Sequence, residues 1–146
     1  MFFLSSCWEK NYDYAYDIKI ENATPDTLRL LIGQVNSTTI TEPLYSIDLL
    51  PYETQNGNKS GLYGMKANEG INPIQLRFSN GWKGIDTVLV FHKDTLMCIW
   101  TAPAYGGSDS IHNFFNYNSW SYWIEKDPDG VMMFTIYPED LKLNNE

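Results

Sequence analysis

At 146 residues the chain is sized for one domain with a real hydrophobic core. Its 10 Lys and Arg against 18 Asp and Glu give a net charge of −8, which argues against the basic stripe of a nucleic-acid binder and the Lys/Arg clusters that adsorb proteins to anionic lipid. Aromatic residues make up 15%, which favours pleated, half-buried surfaces over helices.

The chain opens on Met1-Phe2-Phe3-Leu4-Ser5-Ser6-Cys7, an apolar run that closes on two small residues and a cysteine. Leu4-Ser5-Ser6-Cys7 resembles the lipobox of bacterial lipoproteins, and that resemblance implies a diacylglycerol on the sulfur of Cys7. The run is shorter than the apolar core of about 7–15 residues in a complete signal peptide, so residues 1–7 are read as a remnant of one. No stretch approaches the ~20 apolar residues of a membrane helix. Residues 8–11 then form a polar tether, 12–141 the domain and 142–146 a tail.

Tyr12, Tyr14, Tyr16, Ile18 and Ile20 alternate with Asp13, Ala15, Asp17 and Lys19, the period-two pattern of a strand with one wet face. Asn22-Ala23-Thr24-Pro25-Asp26 is turn chemistry, and Thr27 to Val35 resumes alternation, so the two segments predict a hairpin over a longer loop. Thr39 to Leu50 predicts a third strand with Tyr45, Ile47 and Leu49 on one face. Gln55 to Gly70 predicts a long loop with a short edge strand around Leu62-Tyr63. Ile74, Leu76 and Phe78 mark a further strand. Ile85 to His92 and Thr95 to Thr101 form the clearest hairpin, joined through His92-Lys93-Asp94, and their near-continuous apolar runs predict central strands buried on both faces or nearly so. Ala102 to Asn118 is irregular, with a helical turn expected near Ile111 to Phe115. Trp120 to Glu125 and Val131 to Tyr137 flank Lys126-Asp127-Pro128-Asp129-Gly130, a turn signal. The sum is one all-β domain, an antiparallel β-sandwich (Ig-like or related) of about eight or nine strands.

The Leu4-Ser5-Ser6-Cys7 start, the Tyr-rich first strand, Asp86-Thr87-Val88-Leu89-Val90-Phe91 running to Trp100, and the closing Phe134-Thr135-Ile136-Tyr137-Pro138-Glu139-Asp140-Leu141 together resemble small lipoproteins of gut Bacteroidota. The resemblance spans most of the chain at the level of pattern and implies an Ig-like or related sandwich at the cell envelope, lipid-anchored at the outer membrane. Many such proteins carry an acidic run after the cysteine; Trp8-Glu9-Lys10-Asn11 departs from it, so the resemblance gives no export signal here. It also implies O-glycosylation at Asp-Ser/Thr before an apolar residue, which marks Thr27, Thr87, Thr95 and Ser110. The same dipeptide is ordinary chemistry for leaving a turn.

Acid–base catalysis needs groups within hydrogen-bond reach, most often around a histidine. His92 and His112 lie in no zinc spacing, and neither a Gly-x-Ser-x-Gly elbow nor a phosphate-binding glycine loop is present. Asp127 to Gly130 lacks the distal oxygen ligands of a calcium loop. Cys98 reads as a small buried hydrophobe. The residues therefore point to no metal, no cofactor and no enzyme; a histidine in a cleft beside a carboxylate is the arrangement that would reopen the question. The aromatics in or beside loops are the functional lead: Trp82, Tyr105, Tyr117, Trp120 and Trp123 are candidate ligand-binding residues. On the penultimate strand Trp120 and Tyr122 share a face and Trp123 points the other way. Two readings follow: an envelope-anchored binding or structural module for a glycan or protein, and a cytosolic acidic interaction protein such as an immunity or inhibitor protein.

Overall fold

The computed structural model describes residues 14–34, 45–56, 66–67, 85–102, 112–126 and 129–142. Nine strands lie among them: β1 (Tyr14–Asn22), β2 (Leu28–Gly33), β3 (Tyr45–Leu49), β4 (Thr54–Asn56), β5 (Lys66–Ala67), β6 (Thr87–His92), β7 (Thr95–Thr101), β8 (Trp120–Lys126) and β9 (Asp129–Ile136). Short 3-10 turns occupy Tyr117–Ser119 and Pro138–Leu141. The strands form two sheets, one in the order β4-β1-β9-β8 with β5 also on β1, the other in the order β3-β2-β6-β7. The chain is thus an all-β sandwich.

Alternation sets which side chains meet between the sheets. Ile18 and Ile20 of β1, Met132, Phe134 and Ile136 of β9, and Trp120 of β8 face Leu28, Leu30 and Ile32 of β2, Ile47 and Leu49 of β3, Val88 and Val90 of β6, and Trp100 of β7. All are buried in one apolar cluster, closed at one end by Phe114, Phe115 and Leu141.

Two expectations fail for reasons of pairing. The predicted β1–β2 hairpin does not form: β1 belongs to the first sheet and β2 to the second, so residues 23–27 cross between layers. β1 pairs instead with β9, and in parallel, with Ile18 beside Met132 and Ile20 beside Phe134; every other ladder is antiparallel. A buried Asn22 makes the crossing. Its Nδ2 donates to the carbonyls of Asp26 and Leu50 at 2.7 and 2.9 Å, while its Oδ1 accepts from Thr24 N and Thr24 Oγ1 at 3.0 and 2.7 Å. One amide thereby ties the end of β1 to the end of β3 in the opposite sheet.

The β6–β7 hairpin forms as expected, but β7 ends its sheet among the described residues, and Ile99 on its outer face is 50% exposed where two-sided burial was expected. At the other predicted hairpin, Asp129 and Gly130 belong to β9, with Lys126 opposite Asp129 and a register shift between Ile124 and Lys126. The Asp-Gly pair therefore lies in the strand, where turn chemistry had placed it in the connection. The helical turn expected near Ile111 to Phe115 is found at Tyr117–Ser119, where the side chain of Asn116 accepts from Asn118 N. Leu62-Tyr63, Ile74 to Phe78 and most of the Gln55 to Gly70 loop lie outside the described residues.

Strand direction gives the sandwich two unlike ends. Tyr14, Gly33, Tyr45, Thr87 and Thr101 lie at the end where the N-terminal chain enters. Residues 23–27, 50–53, 93–94 and 137–141 lie at the other, roughly 26 Å away along β1 at a strand rise of about 3.3 Å per residue. This far end holds the two non-glycine residues with positive φ among the described residues, Tyr52 at 57° and Lys93 at 54°. Glu53 N donates to Leu50 O at 3.1 Å, closing a turn with Pro51 and Tyr52 at its centre; that position ordinarily takes glycine. Lys93 is the first central residue of the β6–β7 turn, again a glycine position when φ is positive. Each costs about 1 kcal/mol or more of backbone strain.

Candidate functional site

The five candidate aromatics separate. Trp120 faces inward from β8 and is only 6% exposed; its Nε1 donates to Phe114 O at 2.8 Å, and its ring meets Phe114 and Phe134 at 5.0 and 5.3 Å. It is core, so its assignment as a ligand-binding residue is withdrawn: the pleat that carries it inward leaves no ring face for a ligand. Tyr117 is exposed on the 3-10 turn. Trp82 and Tyr105 lie outside the described residues.

Trp123, one residue out of phase with Tyr122, stands half-buried on the outer face of the first sheet. It is opposite Val131 of β9, which is in turn opposite Asp17 of β1. The next row holds Ser121, Met133, Lys19 and Asn56. Val131 is buried although it lies on this outer face and outside the core cluster. Lys19 Nζ reaches Glu125 Oε1 at 3.2 Å, and Thr135 Oγ1 donates to Glu21 Oε2 at 2.8 Å. An apolar centre of Trp123, Val131 and Met133 is thus framed by groups that donate and accept hydrogen bonds.

A second feature, absent from the sequence reading, is a cleft of about 430 Å³ at the far end, lined by Pro25, Asp26, Thr27, Leu28, Arg29, Asp48, His92 and Lys93. His92 Nδ1 lies 3.3 Å from Asp26 Oδ1. Arg29 Cζ sits 5.5 Å from the centre of the Phe91 ring, within cation–π range. Its sequence signal was a lysine at a turn position that prefers glycine.

Both histidines therefore stand beside carboxylates, but in unlike settings. His112 Nδ1 is 2.8 Å from Asp140 Oδ1, and its ring stacks on Phe134 at 4.7 Å. The other Asp140 oxygen accepts from Tyr137 N at 2.8 Å, capping the last 3-10 turn. Among the described residues His112 Nε2 is buried without a hydrogen-bond partner, and the pair holds residue 112 against the C-terminal turn. His92 does open onto the cleft, yet no hydrogen bond among the described residues joins it to Thr27, the one hydroxyl in the lining. Among the described residues no cluster of three or more metal-ligating side chains occurs, and no helix is long and apolar enough to cross a membrane.

The four glycosylation candidates also differ in access. Thr27 and Thr95 are exposed. Thr87 is 3% exposed, and its hydroxyl donates to Asp86 Oδ1 at 2.9 Å, so a glycan there would need the strand to open; that assignment is withdrawn. Ser110 and Cys7 lie outside the described residues.

Cys98 is a free thiol, half-buried against the core. Burial first, then the charge of Asp140, pushes its pKa up from 9.0 to about 12, with a backbone hydrogen bond from Ile99 opposing. The unfolded chain releases this proton near pH 9 and the folded chain keeps it, so unfolded protein binds fewer protons and stability falls from about pH 9 towards 12. In a Cys7→Ser background, folded protein at pH 8 is expected to react with a thiol-specific disulfide reagent roughly 100-fold more slowly than guanidinium-unfolded protein, since the thiolate is the nucleophile. Equal rates would mean that Cys98 is neither shielded nor held protonated.

Comparison of the chain with models of known families, with curated proteins and with solved structures finds no match.

Proposed function

We propose that this chain is a lipid-anchored module of the bacterial cell envelope, held in the outer membrane through Cys7, that binds a glycan without catalysing a reaction on it. The observation that carries the binding half is Trp123. A half-buried indole on the outer face of the edge strand β8, beside Val131 and with Ser121 and the Lys19–Glu125 pair on the same face, offers a sugar ring an apolar plane and its hydroxyls both donors and acceptors. The direction of β1 is consistent with the anchoring half. A chain tethered at its N-terminus enters at one end of the sandwich and presents the loops of the other end away from the membrane.

Trp123→Ala is expected to weaken glycan-array binding at least about tenfold, the loss typical of a central aromatic anchor, with an unchanged melting temperature. Unchanged binding would remove the platform. The anchor is tested separately by metabolic palmitate labelling with a Cys7→Ala control. Label retained in that control would favour the cytosolic acidic interaction protein instead.

A further inference from the structure

We infer that the far-end cleft is a carboxylate-binding subsite, in which Arg29 and Lys93 take the acidic group of a uronic acid residue within a glycan. The inference rests on the glycan-binding reading and adds to it a second, charge-selective contact on the opposite sheet.

Charge supplies the first argument. The chain has 18 acidic and 10 basic residues, so an average cation has carboxylates to choose from. Yet among the described residues neither Arg29 nor Lys93 is in an ion pair, whereas Lys19, His92 and His112 each are. Arg29 lies opposite Asp48 in the β2–β3 register and still makes no pair with it. Its guanidinium instead sits over Phe91, which fixes the group while leaving its N–H edge for a bidentate acceptor. Asp26, the other carboxylate in the lining, is engaged by His92 at 3.3 Å.

Backbone strain supplies the second. The β6–β7 turn would close more easily with glycine at Lys93, and strain of this sort persists where the side chain serves a purpose. Here the strained residue is one of the two cations that line the cleft.

Shape and the remaining lining select the ligand class. A volume of about 430 Å³ falls in the range of small-ligand sites and suits a sugar residue. Pro25 provides an exposed apolar surface for C–H groups, and Asp48 and Thr27 can accept hydrogen bonds from hydroxyls. A carboxylate, several hydroxyls and an apolar ring edge are together the features of a uronic acid.

The test is an amide-shift titration of the isotope-labelled full chain with oligogalacturonate and with its methyl ester, which removes the charge and keeps the sugar. Shifts at residues 26–29, 48, 92 and 93 are expected with the acid and not with the ester. Lys93→Gly is expected to weaken acid binding at least about tenfold, as is Arg29→Gln, since each removes a charge-assisted contact. Lys93→Gly should melt no lower than the parent, which separates lost binding from lost fold. Equal binding of the ester, or affinity within about twofold of the parent in both variants, would overturn the cleft. If acid binding survives both variants and vanishes in Trp123→Ala, the cleft proposal falls and the glycan reading stands. Absence of any saccharide binding overturns both.

Discussion

Asn22→Ala is expected to lower the free energy of unfolding by about 3 kcal/mol or more, because it strips partners from several buried groups at once. The Asn22 amide satisfies the carbonyls of Asp26 and Leu50 together with Thr24 N and Thr24 Oγ1. The same residue donates its backbone N–H to Glu53 O at 2.8 Å, and Ala23 N donates to Ile136 O at 2.9 Å, so the latch lies where three chain segments converge. Alanine leaves a cavity lined by polar groups. Some of them recover through water near exposed Leu50, which keeps the loss below the full sum of unmade bonds. Two controls sharpen the result. Thr24→Val removes a single hydroxyl and should cost about 1 kcal/mol, while Asn22→Asp keeps the acceptor and loses the donors. Guanidinium denaturation curves read all three. An Asn22→Ala loss under about 1 kcal/mol would show that the crossing is held by its strands and not by this amide.

Phe134→Ala is the second large effect, expected to cost about 3–5 kcal/mol. Domains of ordinary stability have only about 5–15 kcal/mol to lose. Phe134 is fully buried and lies among Trp100 at 5.0 Å, His112 at 4.7 Å, Phe114 at 5.2 Å and Trp120 at 5.3 Å. Removing the ring therefore takes one face from four others, including an imidazole fixed at its far edge by Asp140. Such rings cannot all close on the space, because Trp120 is tied to Phe114 O and His112 to Asp140. Phe134→Leu keeps most of the volume and should cost markedly less. Thermal melts give the magnitude, and near-ultraviolet circular dichroism reports whether Trp100 and Trp120 lose their fixed setting. A small loss in Phe134→Ala with unchanged aromatic dichroism would mean that this cluster is not the centre of the core.

The core face of nearly every described strand was legible in the sequence, since period two assigns Ile18 and Ile20, Leu28 and Leu30, or Met132 and Phe134 to one side without reference to partners. Phase also put Trp123 on the face opposite Trp120. Alternation could not tell which of those faces lay inside, and burial of Trp120 resolved it. The cleft was invisible because its residues come from residues 25–29, from Asp48 and from residues 92–93, which no local pattern connects. Its one local trace is Lys93 at a turn position that glycine would fill without strain.

By itself, then, the sequence determined the strand-rich class, the residues that share a face of each strand and the β6–β7 hairpin, because side-chain alternation and turn chemistry act over a few residues. Tertiary structure alone decided that β1 pairs in parallel with β9, that Asn22 carries the chain between sheets, and that Arg29 and Lys93 share a cleft. Ladder hydrogen bonds join backbone groups that every residue possesses, so side-chain pattern chooses a face and leaves the neighbour to the packing of the whole domain.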